Sequence, residues 1–355
     1  MNRQDTYAEC FFLDVGQGTS QVILLKGGRA IVIDGGPDRD ARIPLSILGS
    51  AGVHTLEALI VSHNDADHEN GAVRILETYK YSTEKLYFLV DRFGIAVPTC
   101  VRANEIDGAR SAKGLKPLNR IRLEADGNDA REIYKSTDEN LRLDLLHPNF
   151  KANDRWKNEP NATCGVLRLS CGKEPTARRI LFSGDVPVKV WRWIEQTRVV
   201  SLPMHCDVMT VSHHGGNTGS KDELQWLYNE AVRCKHAVVS VGTQNPYGHP
   251  TEEGITSIRD ARARVKSILC TQLTERCCDN PVKTFPAGLT TPHRRSQSHP
   301  EQNPDGRHIA CAGTVIARIG LNDVEIIKPT GHRDAVKSLE TKPYGHPLCL
   351  VPSRS

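Results

Sequence analysis

Four potential metal ligands lie within six residues of one another, directly after an apolar segment. They are His63, Asp65, Asp67 and His68, and residues 59–61 before them have the pattern of a buried strand. Buried imidazoles and carboxylates are unfavourable unless they are paired, hydrogen-bonded or bound to a cation. A tight turn can direct two of these ligands towards one ion and two towards a second, about 3.5–4 Å away, the spacing of two-metal hydrolases. The pattern predicts a metal site, against the alternative of a polar loop.

Three other predicted strand ends carry similar side chains. They are Asp34, Asp185 and the pair His213-His214. In α/β proteins the loops at strand ends converge on one edge of a sheet, which is where ligands bind. We therefore expect these side chains to lie beside the first cluster.

The predicted secondary structure before this cluster consists mainly of strands joined by glycine turns, with a helix at 41–51. The charged and interrupted stretch 93–133 predicts strands and loops. Residues 290–308 are rich in Pro, Ser, Gln, His and Arg and predict a flexible loop. Residues 311–319 predict a final strand.

The composition is that of a soluble globular protein of 355 residues, with 38% hydrophobic and 25% charged residues. No run of about 18 apolar residues predicts a membrane span, and residues 1–5 lack the apolar core of a secretory signal, so we expect a cytoplasmic protein without a membrane partner. The net charge of +4 neither requires a nucleic-acid partner nor excludes a local basic groove. The eleven cysteines, without an export signal, predict reduced thiols or metal ligands instead of disulfides.

Several motifs occur in an order that is typical of one superfamily. They are residues 12–18 (FLDVGQG), 33–36 (IDGG), 62–68 (SHNDADH), Asn161 before 166–169 (VLRL), 182–185 (FSGD), 213–215 (HHG), 240–242 (SVG) and 247–250 (YGHP). On these motifs, residues 8–270 resemble the metallo-β-lactamase superfamily, and more closely the metallohydrolase domain of the competence DNA-uptake protein ComEC. The resemblance implies an α/β fold, the four-layer αββα sandwich. It places a metallohydrolase domain at 1–270 and, at 271–355, an extension that completes the fold.

The resemblance also implies a role for each candidate ligand. His63 and Asp65 hold the first ion, Asp67 and His68 hold the second, and Asp185 bridges the two. The pair His213-His214 completes the second site; we favour His214 as the ligand and His213 as a proton donor or supporting group, although the sequence leaves that choice open. Asp34 is expected to orient the ligand loop without binding metal.

Two positions differ from the commoner superfamily pattern. Asp65 and Asn161 stand where that pattern has histidines, and Asn161 is expected to support the site from behind the ligands. Oxygen donors favour harder ions, so Mn²⁺ or Mg²⁺ competes with Zn²⁺ at the first site, and the expected cofactors are two divalent ions, Zn²⁺ or Mn²⁺ with Mg²⁺ as a further option. Both differences are shared with the ComEC-like branch.

The implied chemistry is hydrolysis by a hydroxide that bridges the two ions, with Asp67, His213 and His249 as the catalytic residues. Backbone N–H groups and hydroxyls after the histidine pair predict a phosphate-binding segment, with a plain turn as the alternative; the predicted residues are Gly215, Gly216, Thr218 and Ser220. His249 is interpreted as a phosphate contact or general acid, with a structural turn as the alternative.

For the substrate, the ComEC resemblance implies a phosphodiester, with DNA cleavage as the first choice. A small cyclic nucleotide, or a lactone or thioester, is the alternative. A binding module without catalysis is less favoured because every expected ligand is present and a decayed site would lose costly buried charges. A protein partner encoded in the same operon is a further expectation.

The C-terminal cysteines suggest a separate structural zinc site. Its ligands would be Cys270, Cys277, Cys278 and Cys311. Their spacing is not that of a standard zinc ribbon, so buried free thiols are the alternative.

Overall fold

The computed structural model describes residues 5–89, 98–127, 129–197, 203–243, 245–261, 265–282, 284–285, 308–327, 330–340 and 345–351. The predicted loop at 290–308 lies outside the described residues except for His308. In the described part, two β-sheets pack face to face and helices cover their outer faces. No helix there combines the length and the apolar character needed to cross a membrane.

The first sheet has eight strands in the order β15-β14-β1-β2-β3-β4-β5-β6. They are β1 (Thr6–Phe12), β2 (Gln21–Leu25), β3 (Arg29–Ile33), β4 (Thr55–Ile60), β5 (Lys85–Phe88), β6 (Asn119–Arg122), β14 (Val315–Gly320) and β15 (Val324–Ile327). The antiparallel pair β1 and β14 joins the two ends of the chain in one sheet. The C-terminal segment therefore contributes two strands to this layer.

The second sheet has seven strands in the order β13-β12-β11-β10-β9-β8-β7. They are β7 (Arg131–Lys135), β8 (Leu141–His147), β9 (Val166–Cys171), β10 (Arg178–Phe182), β11 (Val208–Thr210), β12 (His236–Val239) and β13 (Ser267–Cys270). The interior strand β9 is buried along its whole length, which suits a strand covered on both faces.

Helices form the two outer layers. They are α1 (Arg42–Ser50), α2 (Ala66–Thr78), α3 (Pro98–Ser111), α4 (Phe150–Arg155), α5 (Val188–Thr197), α6 (Lys221–Trp226), α7 (Glu252–Arg259) and α8 (Thr330–Leu339). One apolar core lies between the sheets, where the rings of Phe12 and Phe182 are 6.0 Å apart, and a separate core lies between each sheet and its helices. The predicted four-layer αββα sandwich is confirmed.

The strand directions bring the motif loops together. Strands β3, β4 and β5 are parallel, and so are β10, β11, β12 and β13. The residues that follow β3, β4, β10 and β11 therefore leave the sheets at the same edge. These four loops carry Asp34, the 63–68 cluster, Asp185 and the histidine pair.

The prediction of strands and loops throughout 93–133 is wrong for residues 98–111, which form α3. Only three side chains of this 14-residue helix are buried, Thr99, Ala103 and Ile106. So narrow an apolar face gives a weak helical period, because polar, charged and small residues occupy most of the remaining positions.

Two glycines allow the first turns of α2 to lie directly against the loop after β3. A Cβ on Gly71 would lie 2.1 Å from the carbonyl oxygen of Gly35, and a Cβ on Gly35 would lie 2.0 Å from the backbone nitrogen of Ala72. The backbone of Gly35 also donates to the carbonyl of His68 at 2.7 Å. This contact holds the metal-ligand segment against the Asp34 loop.

Replacing Gly71 by alanine is expected to destabilise the protein by about 1–3 kcal/mol, because the new methyl group meets backbone on both sides. Gly108, which lies in α3 and has no atom within 4 Å of its added Cβ, is the matched control. Gly108→Ala should stabilise by about 0.5–1 kcal/mol through helix propensity. Denaturant unfolding measures both changes, and a Gly71→Ala protein as stable as wild type would contradict the close packing.

Candidate metal centre

Three imidazoles surround the carboxylate of Asp185. The distance to the nearer carboxylate oxygen is 3.4 Å from Nε2 of His68, 3.7 Å from Nε2 of His214 and 3.8 Å from Nε2 of His63. All three nitrogens are buried, and none has a hydrogen-bond partner. Buried polar atoms normally have partners, so three unpaired nitrogens directed at one carboxylate indicate a place for a cation.

The other ring nitrogen of two imidazoles is held by an acceptor. Nδ1 of His68 lies 2.8 Å from Oδ2 of Asp34, and Nδ1 of His214 lies 2.8 Å from the carbonyl oxygen of Ser240. These acceptors require the proton on Nδ1, which leaves the Nε2 lone pair free for a metal. Asp34 also accepts the backbone N–H and the hydroxyl of Ser62, both at 2.7 Å, so it connects the ligand loop to the end of β3.

The remaining carboxylates of the cluster lie on its outer side. Oδ2 of Asp65 is 3.4 Å from Nε2 of His63, and Oδ2 of Asp67 is 3.2 Å from Nε2 of His214. Among the described residues, two groups have ligand atoms close enough for one ion each: His63, His68 and Asp185, and Asp67, His68 and His214. The six predicted ligands are thus gathered in one place, with His68 between the two groups.

The imidazoles and carboxylates of the cluster stabilise one another's charges. Burial opposes a charge on His68, but the carboxylates of Asp185 and Asp34 outweigh it and raise the pKa of His68 to about 10. Burial likewise opposes the charge on Asp67, yet its contact with His214 and the nearby His68 lower the pKa of Asp67 to about 2. An ionised carboxylate beside an imidazole that carries a proton also suits a divalent cation, which would replace that proton.

The histidine pair lies in a strained turn. His213 and His214 have φ angles of 50° and 54°, in the left-handed region that few residues other than glycine adopt. Such conformations cost roughly 1–3 kcal/mol each and concentrate at functional sites. The turn buries His214 among the ligands and leaves the His213 side chain 32% exposed, with Nε2 4.0 Å from Asp185.

His249 lies beside the histidine pair at the rim. Its ring centroid is 4.9 Å from that of His213, and a Cβ on Gly216 would lie 2.6 Å from its Nε2. Burial, reinforced by the imidazoles of His213 and His214, lowers the pKa of His249 to about 4, so the ring is neutral near pH 7. A neutral ring at this position is suited to hydrogen bonding with a substrate oxygen, not to donating a proton as a general acid.

Hydrogen bonding in the predicted phosphate-binding segment favours the plain turn. The backbone N–H of Gly216 donates to the carbonyl of His213 at 2.7 Å, and the carbonyls of Gly215 and Thr218 accept from other loops. Ser220 caps α6: its backbone N–H and its hydroxyl both contact the carboxylate of Glu223. The N–H groups of Gly216 and Ser220 are therefore engaged within the turn, and phosphate binding by Gly215 and Thr218 stays a prediction.

Cys164 contacts the candidate ligands, although none of the sequence motifs includes it. Its Sγ lies 3.5 Å from Nδ1 of His63 and accepts the backbone N–H of Asp185 at 3.3 Å, and the residue is fully buried. Asn161, three residues earlier, makes no side-chain hydrogen bond within the described part of the chain; its carbonyl accepts the N–H of Cys164 at 3.2 Å. The segment that begins at Asn161 does lie beside the candidate ligands, but the side chain that contacts them is the Cys164 thiol.

Replacing Cys164 by alanine is expected to weaken divalent-metal binding by about tenfold, because it removes an acceptor that orients two ligands. Cys164→Ser retains an acceptor and should have a smaller effect. Cys171→Ala is the control: this thiol is buried between the sheets, so its loss should lower stability without changing metal affinity. Calorimetric metal titration measures the affinities, and equal values for Cys164→Ala and wild type would contradict the role.

The predicted structural zinc site is wrong. The four cysteines are buried and free, but no group of them has ligand spacing within the described residues. Cys277 instead accepts the backbone N–H of Thr274 at 3.1 Å, and Sγ of Cys311 is 3.2 Å from Nδ1 of His332. Burial raises the pKa of Cys278 to about 12, so its protonated thiol packs in the core between the second sheet and its helices.

Comparison with known proteins places these features in context. No family model matches the chain. It is 27% identical over 242 residues to the competence protein ComA of Neisseria gonorrhoeae, and 28% identical over 244 residues to the recombination protein 2 of Haemophilus influenzae. Each match covers 67% of this chain but only 28% and 25% of the relatives, so the chain spans about a quarter of their length.

Similar solved structures include three hydrolase folds at low identity. A long-form RNase Z from yeast is 11% identical, with a TM-score of 0.41 over 68% of this chain and 38% of that chain. Yeast PDE1 is 10% identical, with a TM-score of 0.37 over 72% and 93%. The subclass B3 metallo-β-lactamase MEM-A1 from a soil metagenome library is 13% identical, with a TM-score of 0.34 over 64% and 83%.

The fold is an αββα sandwich, and a cluster of histidines and aspartates lies at one edge of its sheets. In sequence, the chain is similar to ComEC-like competence proteins, and the resemblance indicated by the motifs is confirmed.

Proposed function

We propose that the chain is a two-metal phosphodiesterase that cleaves DNA. The observation that carries this proposal is the set of three buried, unpaired Nε2 atoms around Asp185. With their Nδ1 protons held by acceptors, two of these imidazoles have the tautomer that metal ligation needs. The protein residues present therefore suit a pair of divalent ions, Zn²⁺ or Mn²⁺, with Mg²⁺ as a further option.

Each residue has a defined task in this proposal. His63, Asp65 and Asp185 hold one ion, and Asp67, His68, His214 and Asp185 hold the other. When bound, the two ions supply a water of lowered pKa and stabilise negative charge on the phosphoryl oxygens. His213 and His249 line the rim, where their rings contact substrate oxygens, and His213 is the residue that can move a proton to the leaving group. Asp34 and Cys164 keep the ligands oriented.

The choice of a phosphodiester is supported by the ligand types and by the relatives. Asp65 provides oxygen where the wider superfamily has nitrogen, which favours the harder ions common in phosphoryl-transfer sites. The similar proteins are named a competence protein and a recombination protein. The resemblance to the competence DNA-uptake protein ComEC implies DNA as the substrate. A small cyclic nucleotide is the second candidate, because the same site chemistry acts on any accessible phosphodiester.

The experiment compares substrates with the full chain reloaded with Mn²⁺, Mg²⁺ or Zn²⁺. The substrates are labelled single-stranded and double-stranded DNA, a cyclic dinucleotide, bis(p-nitrophenyl) phosphate and a lactone. The proposal predicts metal-dependent cleavage of DNA that EDTA abolishes. Cleavage of the cyclic dinucleotide alone would select the second candidate, and turnover of the lactone alone would overturn the assignment to phosphodiesters.

A further inference from the structure

An aromatic side chain stands in solvent beside the candidate metal centre. Tyr247 is 70% exposed, the largest value among the large hydrophobic residues that the structure describes as exposed. A single exposed aromatic is common and needs no explanation by itself. Tyr247 differs from an ordinary exposed aromatic residue in two ways: it lies near the candidate metal centre, and hydrogen bonds fix the turn that carries it.

The turn holds Tyr247 outward through specific contacts. The backbone N–H of Tyr247 donates to the side chain of Asn245 at 3.0 Å, and the amide of Asn245 donates to the carbonyl of His249 at 2.6 Å. Gly248, between them, has a φ of 69°, which an L side chain rarely adopts. The ring is therefore presented by a fixed backbone, so little order has to be gained when it binds a ligand.

The ring of His249 lies between Tyr247 and the candidate ligand His214. The Tyr247 and His249 centroids are 5.9 Å apart with an interplanar angle of 34°, and the His249 and His214 centroids are 6.1 Å apart. Two ring spacings are comparable with the length of a few nucleotides of a strand, at roughly 3.4 Å per nucleotide when the bases are stacked. A base stacked on Tyr247 would thus leave a neighbouring phosphodiester near the cluster.

A cation from another segment lies against the turn that carries Tyr247. The guanidinium of Arg276 lies against the turn, since a Cβ on Gly248 would be 3.2 Å from its Nε and Nη2. Arg276 is exposed, and its side chain makes no ion pair with any residue in the described ranges. Its charge is therefore available to an anionic backbone, as in sites that combine stacking rings with basic side chains along a strand.

We propose that Tyr247 and Arg276 form a stacking platform for an unpaired nucleobase and its phosphate, so that the substrate is taken as a single strand. The inference rests on the proposed phosphodiesterase function and adds the substrate form to it. Paired bases are already stacked inside a duplex and cannot lie on the ring without being extruded. Duplex DNA should consequently be a poorer substrate than a single strand of the same sequence.

The test compares a labelled oligothymidylate with a strand of equal length in which abasic residues replace the bases. Fluorescence anisotropy gives the Kd of each strand for Asp67→Asn protein, which we expect not to cut either strand. KM is measured on protein that retains Asp67. The platform predicts that the oligothymidylate binds about tenfold more tightly than the abasic strand. Tyr247→Ala should abolish that ratio, whereas Tyr247→Phe and Tyr247→Trp should keep it.

Tyr81→Ala is the matched control. Tyr81 is also exposed, but it follows the far end of α2, about 20 Å along that helix from the ligand segment. Its loss should leave the ratio unchanged. Arg276→Ala should weaken both strands and lower the salt dependence of binding.

The results can overturn the stacking platform and the proposed phosphodiesterase function independently of each other. A tenfold ratio that persists in Tyr247→Ala, or no ratio in the protein with Tyr247, overturns the platform even when DNA is cleaved. Absence of cleavage under every metal overturns the proposed function, while the anisotropy ratio still decides the platform.

Discussion

Asp67→Asn protein is expected to lose metal-dependent hydrolysis by about a thousandfold or more in kcat/KM. The substitution preserves shape but removes a charge whose oxygen lies 3.2 Å from Nε2 of His214. A lost ligand charge weakens the second metal position and the stabilisation of negative charge that the ion provides, and a thousandfold change corresponds to about 4 kcal/mol. Initial rates on single-stranded DNA at saturating Mn²⁺ measure the effect.

Asp323→Asn is the control for this prediction. Asp323 is an exposed residue in the turn between β14 and β15, outside the ligand cluster, so its rates should equal those of wild type. Thermal unfolding with and without metal shows whether folding is retained. Full activity in Asp67→Asn protein that carries the wild-type amount of metal would remove Asp67 from the site.

Asp34→Asn protein is expected to bind divalent metal about 10- to 100-fold more weakly. Asp34 accepts three donors, from Nδ1 of His68 and from the N–H and hydroxyl of Ser62. An amide at this position provides one acceptor and turns its nitrogen towards a donor, so a buried hydrogen bond is lost at a cost of about 1–3 kcal/mol. Asparagine tolerates the φ of 60° at residue 34, so backbone strain does not confuse the result.

The matched control for Asp34 is another buried aspartate that accepts hydrogen bonds. Asp207 accepts the backbone N–H of Arg179 and pairs with Lys235 at the start of β11, the opposite end of the strand from the ligand turn. Asp207→Asn should lower stability similarly without changing metal affinity. Calorimetric titration and denaturant unfolding of both variants give the comparison. Equal metal affinities for Asp34→Asn and Asp207→Asn would contradict the orienting role.

The positions of the polar motifs that follow buried apolar strands could be predicted from the sequence. Asp34, Asp185 and the 63–68 cluster converge as expected, because parallel neighbours end at one edge. The choice between His213 and His214 was not accessible from sequence, since the two residues are adjacent and of one type. It depends on the left-handed turn, which buries one ring and exposes the other.

Three features could not be predicted from the sequence: the contact of Cys164 with His63, helix α3, and the arrangement of the C-terminal cysteines. The contact of Cys164 with His63 joins residues 101 positions apart, and a cysteine at the start of a buried strand has the same pattern whether it packs or supports a ligand. Helix α3 has too narrow an apolar face to reveal its period. The cysteines near 270–311 are close in sequence, but ligand geometry requires their sulfur atoms to converge, and they do not.

The most direct test of the account is electron paramagnetic resonance of the full chain saturated with Mn²⁺. Two ions sharing Asp185, about 3.5–4 Å apart, should give an exchange-coupled spectrum at two ions per chain, and Asp185→Asn should remove the coupling. A six-line spectrum of isolated Mn²⁺ at every stoichiometry, or saturation at one ion per chain, would contradict a two-metal centre.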